Sequence, residues 1–193
     1  MSNLMAHVRH TPERLLHPLR RRKALEALRA RSRPRAVLVV CHGNICRSPL
    51  AAALLARELT PRGIEVHSRG FLGFNRPPPG EAVAAAAPHD VDLADHRSRP
   101  LTVELVRSAD LIVVMDAAQQ RLVCERYGRR RRDIVILGDL DPEPVESRAI
   151  RDPLNESPEV FKQVYARIAR CVRELAGALD AELTPLPRVA RGP

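Results

Sequence analysis

The chain has 193 residues with a formal net charge of +9, and 45% of its residues are hydrophobic. This length suits one domain of ordinary size. The hydrophobic residues suffice for a core, but aliphatic side chains must build it, because aromatic residues make up only 3% of the chain and tryptophan is absent.

The positive charge is concentrated at the N-terminus. Residues 1–35 hold ten lysines and arginines against two glutamates. We predict that residues 1–34 form a basic N-terminal extension, partly helical or disordered, with a helical pattern at 20–32 before Pro34. A solvated extension is the simplest interpretation, and contact with an anionic partner or surface is the alternative. Because the extension has no aromatic side chains to stack on bases, we expect no nucleic-acid partner.

Export and membrane insertion are not indicated. The N-terminus lacks the continuous apolar stretch of a secretory signal, and no segment approaches the roughly 18 apolar residues of a membrane span. The four cysteines, at 41, 46, 124 and 171, are too irregularly spaced for a disulfide framework. We therefore expect a cytoplasmic protein. Nothing in the sequence specifies an oligomeric state.

From residue 36 onward, strand-like and helix-like patterns alternate. Short apolar runs predict strands at 36–40, 64–68, 110–116 and 133–138. Helix-forming runs predict helices at 48–59, 78–90, 101–109, 117–128 and 157–179. Continuous apolar strands separated by helices indicate an α/β fold, namely a small doubly wound (flavodoxin-like) four-stranded parallel sheet with helices on both faces. We predict that residues 181–193 form a flexible tail.

The segment CHGNICRS, residues 41–48, leaves the first predicted strand and enters a helix. Ligands of such sheets bind at the carboxyl ends of the strands. A loop of this length can direct several N–H groups at one centre beside a helix N-terminus, which makes an anion cradle of phosphate size. We expect Gly43 and Asn44 to permit unusual backbone dihedrals, and Arg47 to grip two phosphoryl oxygens. In this environment Cys41 is favoured as a thiolate nucleophile.

A strand, then Cys-x-Gly-Asn-x-Cys-Arg-Ser-Pro, then a helix resembles the low-molecular-weight protein tyrosine phosphatase family, and the resemblance covers about residues 35–179. It implies a phosphatase domain at 35–180 that hydrolyses phosphotyrosine in proteins, or small aryl phosphates, through a phosphocysteine on Cys41. Arg47 matches the phosphate-gripping arginine. Asp152, in RDPLNES, matches the general acid and base. Asp141, which also precedes a proline, competes with it, but Asp152 lies closer to the last helix. No metal or other cofactor is implied.

The resemblance also implies residues that support the loop. Ser48 matches a hydroxyl that stabilises the thiolate as a leaving group, and Asn44 matches the residue that holds the loop in its strained shape. Ser68 and His96 match residues of the same hydrogen-bond network, with Asp116 beside it. Each of these three residues also has a simpler interpretation: Ser68 as a capping serine, His96 as a surface histidine and Asp116 as a helix N-cap. The remaining residues assigned to loop support are His42, Gly43, Ile45 and Cys46.

Several positions bear on the substrate. Phe74 and Leu154 are predicted to form the walls of an aryl slot, and Leu154 stands where the family usually has a tyrosine. His42 and Arg69 favour anionic substrates at the rim. Cys46 is either a redox partner of Cys41 or a small packing residue.

Three alternative functions stay open. Arginine phosphatases of this fold typically carry threonine where this chain has Ile45. Thioredoxin-coupled arsenate reductases need two further cysteines soon after the third strand, where the sequence offers only Cys124. A non-catalytic phosphate-binding or docking module is the third alternative, although such a module needs no nucleophile.

Overall fold

The computed structural model describes residues 2–180, and the side chains from residue 13 onward. The tail predicted at 181–193 lies outside the described residues. The strands are β1 (Ala36–Cys41), β2 (Glu65–Gly70), β3 (Leu111–Val114) and β4 (Ile134–Ile136). The α-helices are α1 (Ser2–Arg29), α2 (Arg47–Leu59), α3 (Gly80–Ala86), α4 (Val103–Ser108), α5 (Ala117–Tyr127) and α6 (Pro158–Asp180). No helix in this part of the chain is long and apolar enough to cross a membrane.

The strands form one parallel sheet in the order β2-β1-β3-β4, which confirms the predicted doubly wound fold. On β1, Val37 lies opposite Val66 of β2 on one side and Leu111 of β3 on the other. Both faces of β1 and β3 are buried, which explains their continuous apolar sequences. The strand order reverses beside β1, so its carboxyl end is where ligands of such sheets bind.

Helices cover both faces of this sheet. Helices α1, α2, α3 and α6 pack against the face that carries Val37 and Val39, whereas α4 and α5 cover the face of Leu38 and Val40. Helix α6 contributes a stripe of buried residues that includes Phe161. The core is built mainly from Leu, Val, Ile and Ala, as the shortage of aromatic residues requires.

From residue 36 onward, three predicted elements end at least two residues earlier than the sequence suggested. The strand predicted at 110–116 ends at Val114. The strand predicted at 133–138 stops at Ile136, because the chain turns into a 3-10 segment at Leu137–Leu140. The helix predicted at 78–90 begins at Gly80 and ends at Ala86, and a 3-10 turn follows at Ala87–His89. Pro88 in that turn lacks an amide hydrogen and cannot continue the α-helical hydrogen bonds.

Helix α1 is longer than the helix predicted at 20–32, and its C-terminal half packs against the domain. Leu25 and Leu28 are only 7% and 2% exposed, and they join the core cluster that contains the buried residues of α6. Arg21 forms an ion pair with Glu174 of α6. This half of α1 is therefore part of the folded core and not a solvated extension, because its two leucines lie on the face that meets α6.

Candidate active site

The loop after β1 carries the residues singled out by the sequence. Cys41 is the last residue of β1 and is buried, and α2 begins six residues later at Arg47. Cys46 occupies the N-cap position of α2, and its side chain makes no capping hydrogen bond. The first N–H groups of α2 are thus not capped by this side chain, and a helix N-terminus of this kind favours an anion.

The sulfur of Cys41 has two hydrogen-bond partners. The hydroxyl of Ser48, on the first turn of α2, lies 3.0 Å from Cys41 Sγ. The backbone N–H of Asn44 donates to the same sulfur over 3.3 Å. Both groups can donate to an anionic sulfur, and hydrogen bonds to a charged form stabilise it.

Asn44 holds the loop together. Its side chain is fully buried, and its Nδ2 donates to Ser48 Oγ at 2.9 Å and to Ser68 Oγ at 3.1 Å, while its Oδ1 accepts from the backbone N–H of Arg99 at 2.9 Å. Its φ angle of 52° lies in the left-handed region. The predicted unusual dihedral is thus found at Asn44. Gly43 does not share it, since Gly43 is not among the residues with positive φ.

Two neighbours fix the backbone of Asn44. The Nε2 atom of His96 lies 2.8 Å from the carbonyl oxygen of Asn44 and donates to it. Burial lowers the pKa of His96, and the guanidinium groups of Arg99, Arg97 and Arg69 add to this effect, against the opposing hydrogen bond to Asn44. Gly70 lies so close that a Cβ atom there would sit 2.9 Å from the Asn44 backbone nitrogen.

Arg47 and Asp152 meet across the site. Arg47 is buried, and its Nη1 donates to the carbonyl oxygen of Ile150 at 3.1 Å. Its Nη2 forms an ion pair with Asp152, whose side chain is 45% exposed. The backbone N–H of Leu154 donates to Asp152 Oδ1 at 3.3 Å. A guanidinium group and a partly exposed carboxylate thus lie side by side.

The competing aspartate, Asp141, has a different environment. Its side chain has no exposed surface and accepts hydrogen bonds from Arg167 Nε at 2.9 Å and Arg170 Nε at 3.1 Å. A carboxylate held by two guanidinium groups and shielded from solvent cannot readily exchange protons with a substrate. This geometry favours Asp152 over Asp141 as the acid.

The environment of Cys46 disfavours the thiolate that a nucleophile requires. Burial raises the pKa of the Cys46 thiol to about 12, and the nearby Cys41 and Asp152 contribute to the rise. Cys46 is therefore a neutral thiol at physiological pH. Tyr165 of α6 donates its hydroxyl to the Cys46 carbonyl oxygen at 3.1 Å, which ties the end of the loop to the core.

A cavity of about 200 Å³ opens above the loop. Its walls come from loop residues 41–43 and 45–47 and from Leu72, Arg76, Asp152 and Leu154. Leu154 and Leu72 line the cavity, whereas Phe74, whose side chain is 77% exposed, is not among its lining residues. At the rim, His42 lines the cavity, whereas Arg69 does not; Arg69 bonds to the carbonyl oxygen of Ser68 at 2.6 Å.

One predicted residue, Asp116, has a different role in the structure, and three residues near the loop were not predicted. Asp116 is the N-cap of α5, where it accepts from the backbone N–H of Gln119 at 2.8 Å, so it does not join the Asn44 network. Arg76, Leu72 and Tyr165 could not be predicted from local patterns, because their contacts depend on the tertiary fold. Within the described residues, no group of three or more His, Cys, Asp and Glu side chains is arranged to hold a metal ion.

A thiol at the base of a phosphate-sized loop, in one cavity with a paired guanidinium and carboxylate, defines a class of protein: the phosphatases that use cysteine as the nucleophile. The position of this loop at the carboxyl end of the central strand agrees with that class. Comparisons with known proteins identify the family within it.

A sequence model of the low molecular weight phosphotyrosine protein phosphatases matches residues 36–185, so the chain belongs to this family. A probable low molecular weight protein-tyrosine-phosphatase, EpsP of Ralstonia nicotianae, is 38% identical over 70% of this chain and 90% of its own length. The tyrosine phosphatase Wzb of Escherichia coli K30, in complex with sulphate, covers 76% of this chain and 99% of its own, with a TM-score of 0.68 and 27% identity. The YwlE arginine phosphatase of Geobacillus stearothermophilus covers 77% of this chain and 95% of its own, with a TM-score of 0.68 and 28% identity.

Proposed function

We propose that this chain hydrolyses phosphotyrosine monoesters, in proteins or as small aryl phosphates, through a phosphocysteine intermediate on Cys41. The observation that supports this most is the environment of the Cys41 sulfur, which lies 3.0 Å from the Ser48 hydroxyl and 3.3 Å from the Asn44 amide nitrogen. Two such donors suit a sulfur that is both attacking group and leaving group. A site that only binds phosphate has no use for them.

In the first step, the Cys41 thiolate attacks phosphorus in line with the leaving oxygen. The S–P bond forms as the P–O bond to the tyrosine breaks, and Arg47 and the loop N–H groups hold the three equatorial oxygens. The phosphoryl group competes with Asp152 for the Arg47 fork. Asp152, in its protonated form, gives its proton to the departing phenolate oxygen.

In the second step, water attacks the phosphocysteine. Asp152 takes a proton from that water, the S–P bond breaks, and inorganic phosphate forms. The Ser48 hydroxyl and the Asn44 amide stabilise the departing Cys41 thiolate by hydrogen bonds. No metal ion is needed in this scheme, because the loop N–H groups and Arg47 already offset the phosphate charge.

The test compares two cysteine variants. We expect Cys41→Ser to abolish turnover of p-nitrophenyl phosphate and of a phosphotyrosine peptide. Cys124→Ser, on helix α5, is the matched control and keeps the wild-type rate. If wild type and Cys41→Ser were equally inert at pH 5–7, the enzyme proposal would fail and a docking module would remain.

Phosphoarginine is the second candidate substrate, because the chain resembles the YwlE arginine phosphatase as closely in structure as it resembles Wzb. Ile45 is buried beside the cavity, and with Leu72 and Leu154 it gives the slot an apolar lining that suits a phenyl ring. We expect kcat/KM to favour a phosphotyrosine peptide over the matching phosphoarginine peptide at least about tenfold. The reverse order would establish the second candidate.

The arsenate reductase alternative has less support. It needs a relay of cysteines that can reach the nucleophile, but Cys124 packs with the cluster on the Leu38 face of the sheet, while Cys41 belongs to the opposite cluster. Cys171 is buried on α6, and burial raises the pKa of its thiol to about 12. Arsenate-dependent oxidation of reduced thioredoxin tests this route, and we expect none.

We also propose that the exposed face of α1 contacts an anionic membrane surface. Leu15, Leu16 and Leu19 are exposed there, and Arg14 and Lys23 are exposed near them. Apolar side chains among basic ones suit an anionic lipid surface. Sedimentation with anionic and with neutral vesicles tests this, with Leu15→Ser/Leu19→Ser as the variant; equal binding to both vesicles would contradict it.

Four free cysteines, one of them reactive, suit the cytoplasm as the working compartment.

A further inference from the structure

Helix α1 lies outside the region that matches the family, which begins at residue 36. An added element of this kind has no assigned part in the reaction. Its contacts lead to the segment between β4 and α6, which carries Asp152. The question is whether α1 influences the position of that acid.

Two side chains of α1 hold this segment. Glu13 Oε2 accepts a hydrogen bond from the backbone N–H of Arg148 at 3.0 Å. His17 is 4% exposed, and its Nε2 lies 3.0 Å from the carbonyl oxygen of Asp141, to which it donates. Both contacts reach backbone groups more than 120 residues away in sequence, so they fix the segment to α1 directly.

Helix α6 holds the same segment from another side. Arg167 donates to the carbonyl oxygens of Ser147 at 2.7 Å and Ala149 at 2.9 Å, and its Nε bonds to Asp141 Oδ2 at 2.9 Å. Arg148 itself forms a two-pronged ion pair with Asp139. The backbone around Arg148 therefore has partners on α1, on α6 and within its own segment.

The segment continues into the site within two residues. The N–H of Ile150 donates to the Met115 carbonyl oxygen at 2.9 Å, and the Ile150 carbonyl accepts from Arg47 Nη1 at 3.1 Å. Asp152, two residues further, is the ion-pair partner of Arg47. A shift of the backbone at residues 148–150 would thus move both the acid and the partner of the phosphate-gripping arginine.

We infer that Glu13 and His17 of α1 are positioning residues for Asp152, acting through the backbone of residues 141–150. The inference rests on the proposed function, in which Asp152 is the general acid. Glu13 touches no reacting atom; it keeps Arg148, and through it Ile150 and Asp152, in register with Arg47. Small displacements of an acid weaken proton transfer strongly, so the effect falls on the step that needs the proton.

Leaving-group dependence separates positioning from general loosening. We expect Glu13→Ala to lower kcat/KM for phenyl phosphate about tenfold, a part of the 10²–10⁴-fold that a general acid supplies. For an aryl phosphate with a very acidic phenol, which departs without a proton, the change stays below about twofold. Glu13→Gln keeps an oxygen acceptor for the Arg148 amide and restores most of the rate. Glu26→Ala is the matched control, since Glu26 is an exposed glutamate of α1 that pairs with Arg22.

Amide hydrogen exchange gives a readout that needs no turnover. We expect Glu13→Ala to speed exchange over residues 147–152, and Glu26→Ala to leave it unchanged. Equal loss of rate on both substrates, or unchanged exchange over 147–152, would overturn the inference. If wild type showed no Cys41-dependent turnover, the proposed function would fail, and exchange alone would still decide whether Glu13 holds this segment.

Discussion

Substitution of Asn44 separates the two ways in which this residue stabilises the loop. Asn44→Ala removes three side-chain hydrogen bonds, two to hydroxyls and one from the Arg99 amide. At about 0.5–1.5 kcal/mol net for each bond, their loss lowers the free energy of unfolding by about 1.5–4.5 kcal/mol. Alanine must also adopt the left-handed φ of 52°, which adds about 1–2 kcal/mol of strain. Together the two contributions predict a loss of about 2.5–6.5 kcal/mol.

Asn44→Gly is the matched comparison, because glycine loses the same hydrogen bonds but adopts a positive φ freely. The relief of strain is partly offset by the greater entropy of glycine in the unfolded chain, about 0.4–1 kcal/mol. We therefore expect Asn44→Gly to be more stable than Asn44→Ala by up to about 1.6 kcal/mol. Urea unfolding of the three proteins, with the slope m held common, measures these differences.

Either of two results would refute this reasoning. A loss below about 1 kcal/mol in Asn44→Ala would mean that the hydrogen bonds of Asn44 contribute little net stability. An Asn44→Gly protein less stable than Asn44→Ala would mean that backbone strain at this position is unimportant. Both variants should also turn over p-nitrophenyl phosphate slowly, because the Ser48 hydroxyl beside the sulfur loses its Asn44 partner.

Three further predictions concern the loop and the acid. Gly70→Ala places a Cβ 2.9 Å from the Asn44 backbone nitrogen and should lower kcat about 10- to 100-fold by moving the loop. The control is Gly80→Ala, where a Cβ meets no atom within 4 Å, and equal rates for the two variants would contradict the prediction. Asp152→Ala should slow cleavage of phenyl phosphate by about 10²–10⁴-fold and a substrate with a very acidic phenol far less; equal slowing of both would assign the acid elsewhere. Because burial lowers the pKa of His96, its neutral ring contributes stability above the unfolded pKa of about 6.5, and that contribution is lost as the pH falls through the lowered value. The Tm of wild type should thus fall more than that of His96→Gln between pH 7 and pH 5, and parallel curves would contradict this.

Much of the fold could be predicted because its signals are local. The run at 36–40 is apolar and β-branched, and the strand observed there extends only one residue further, to Cys41. Helix α6 has apolar residues at helical spacing, and its observed bounds, Pro158–Asp180, lie within one residue of the prediction. The shorter β4 could not be predicted, since Leu137 continues the apolar run of the strand while the backbone from Leu137 to Leu140 turns into a 3-10 segment.

The site was predictable where residue types carry the chemistry and much less where packing decides. The cysteine, arginine and serine all belong to the segment 41–48, so the motif alone indicates that Cys41, Arg47 and Ser48 share one site. The walls of the cavity come from separate loops, so Phe74 was predicted for a position that Leu72 occupies. Nothing local marks Glu13 as a partner of Arg148, which is 135 residues away.

In the proposed mechanism, the Cys41 sulfur accepts the phosphoryl group during turnover. Rapid acid quenching of the protein with an aryl phosphate, followed by peptide mass spectrometry, tests it directly. A phosphoryl group adds about 80 Da to the nucleophile of such a covalent mechanism. We predict this adduct on the peptide that contains Cys41, increased in Asp152→Ala with a substrate whose phenol is very acidic, because loss of the base slows hydrolysis of the intermediate. Turnover with no adduct on Cys41, or with the adduct on another residue, would exclude Cys41 as the nucleophile.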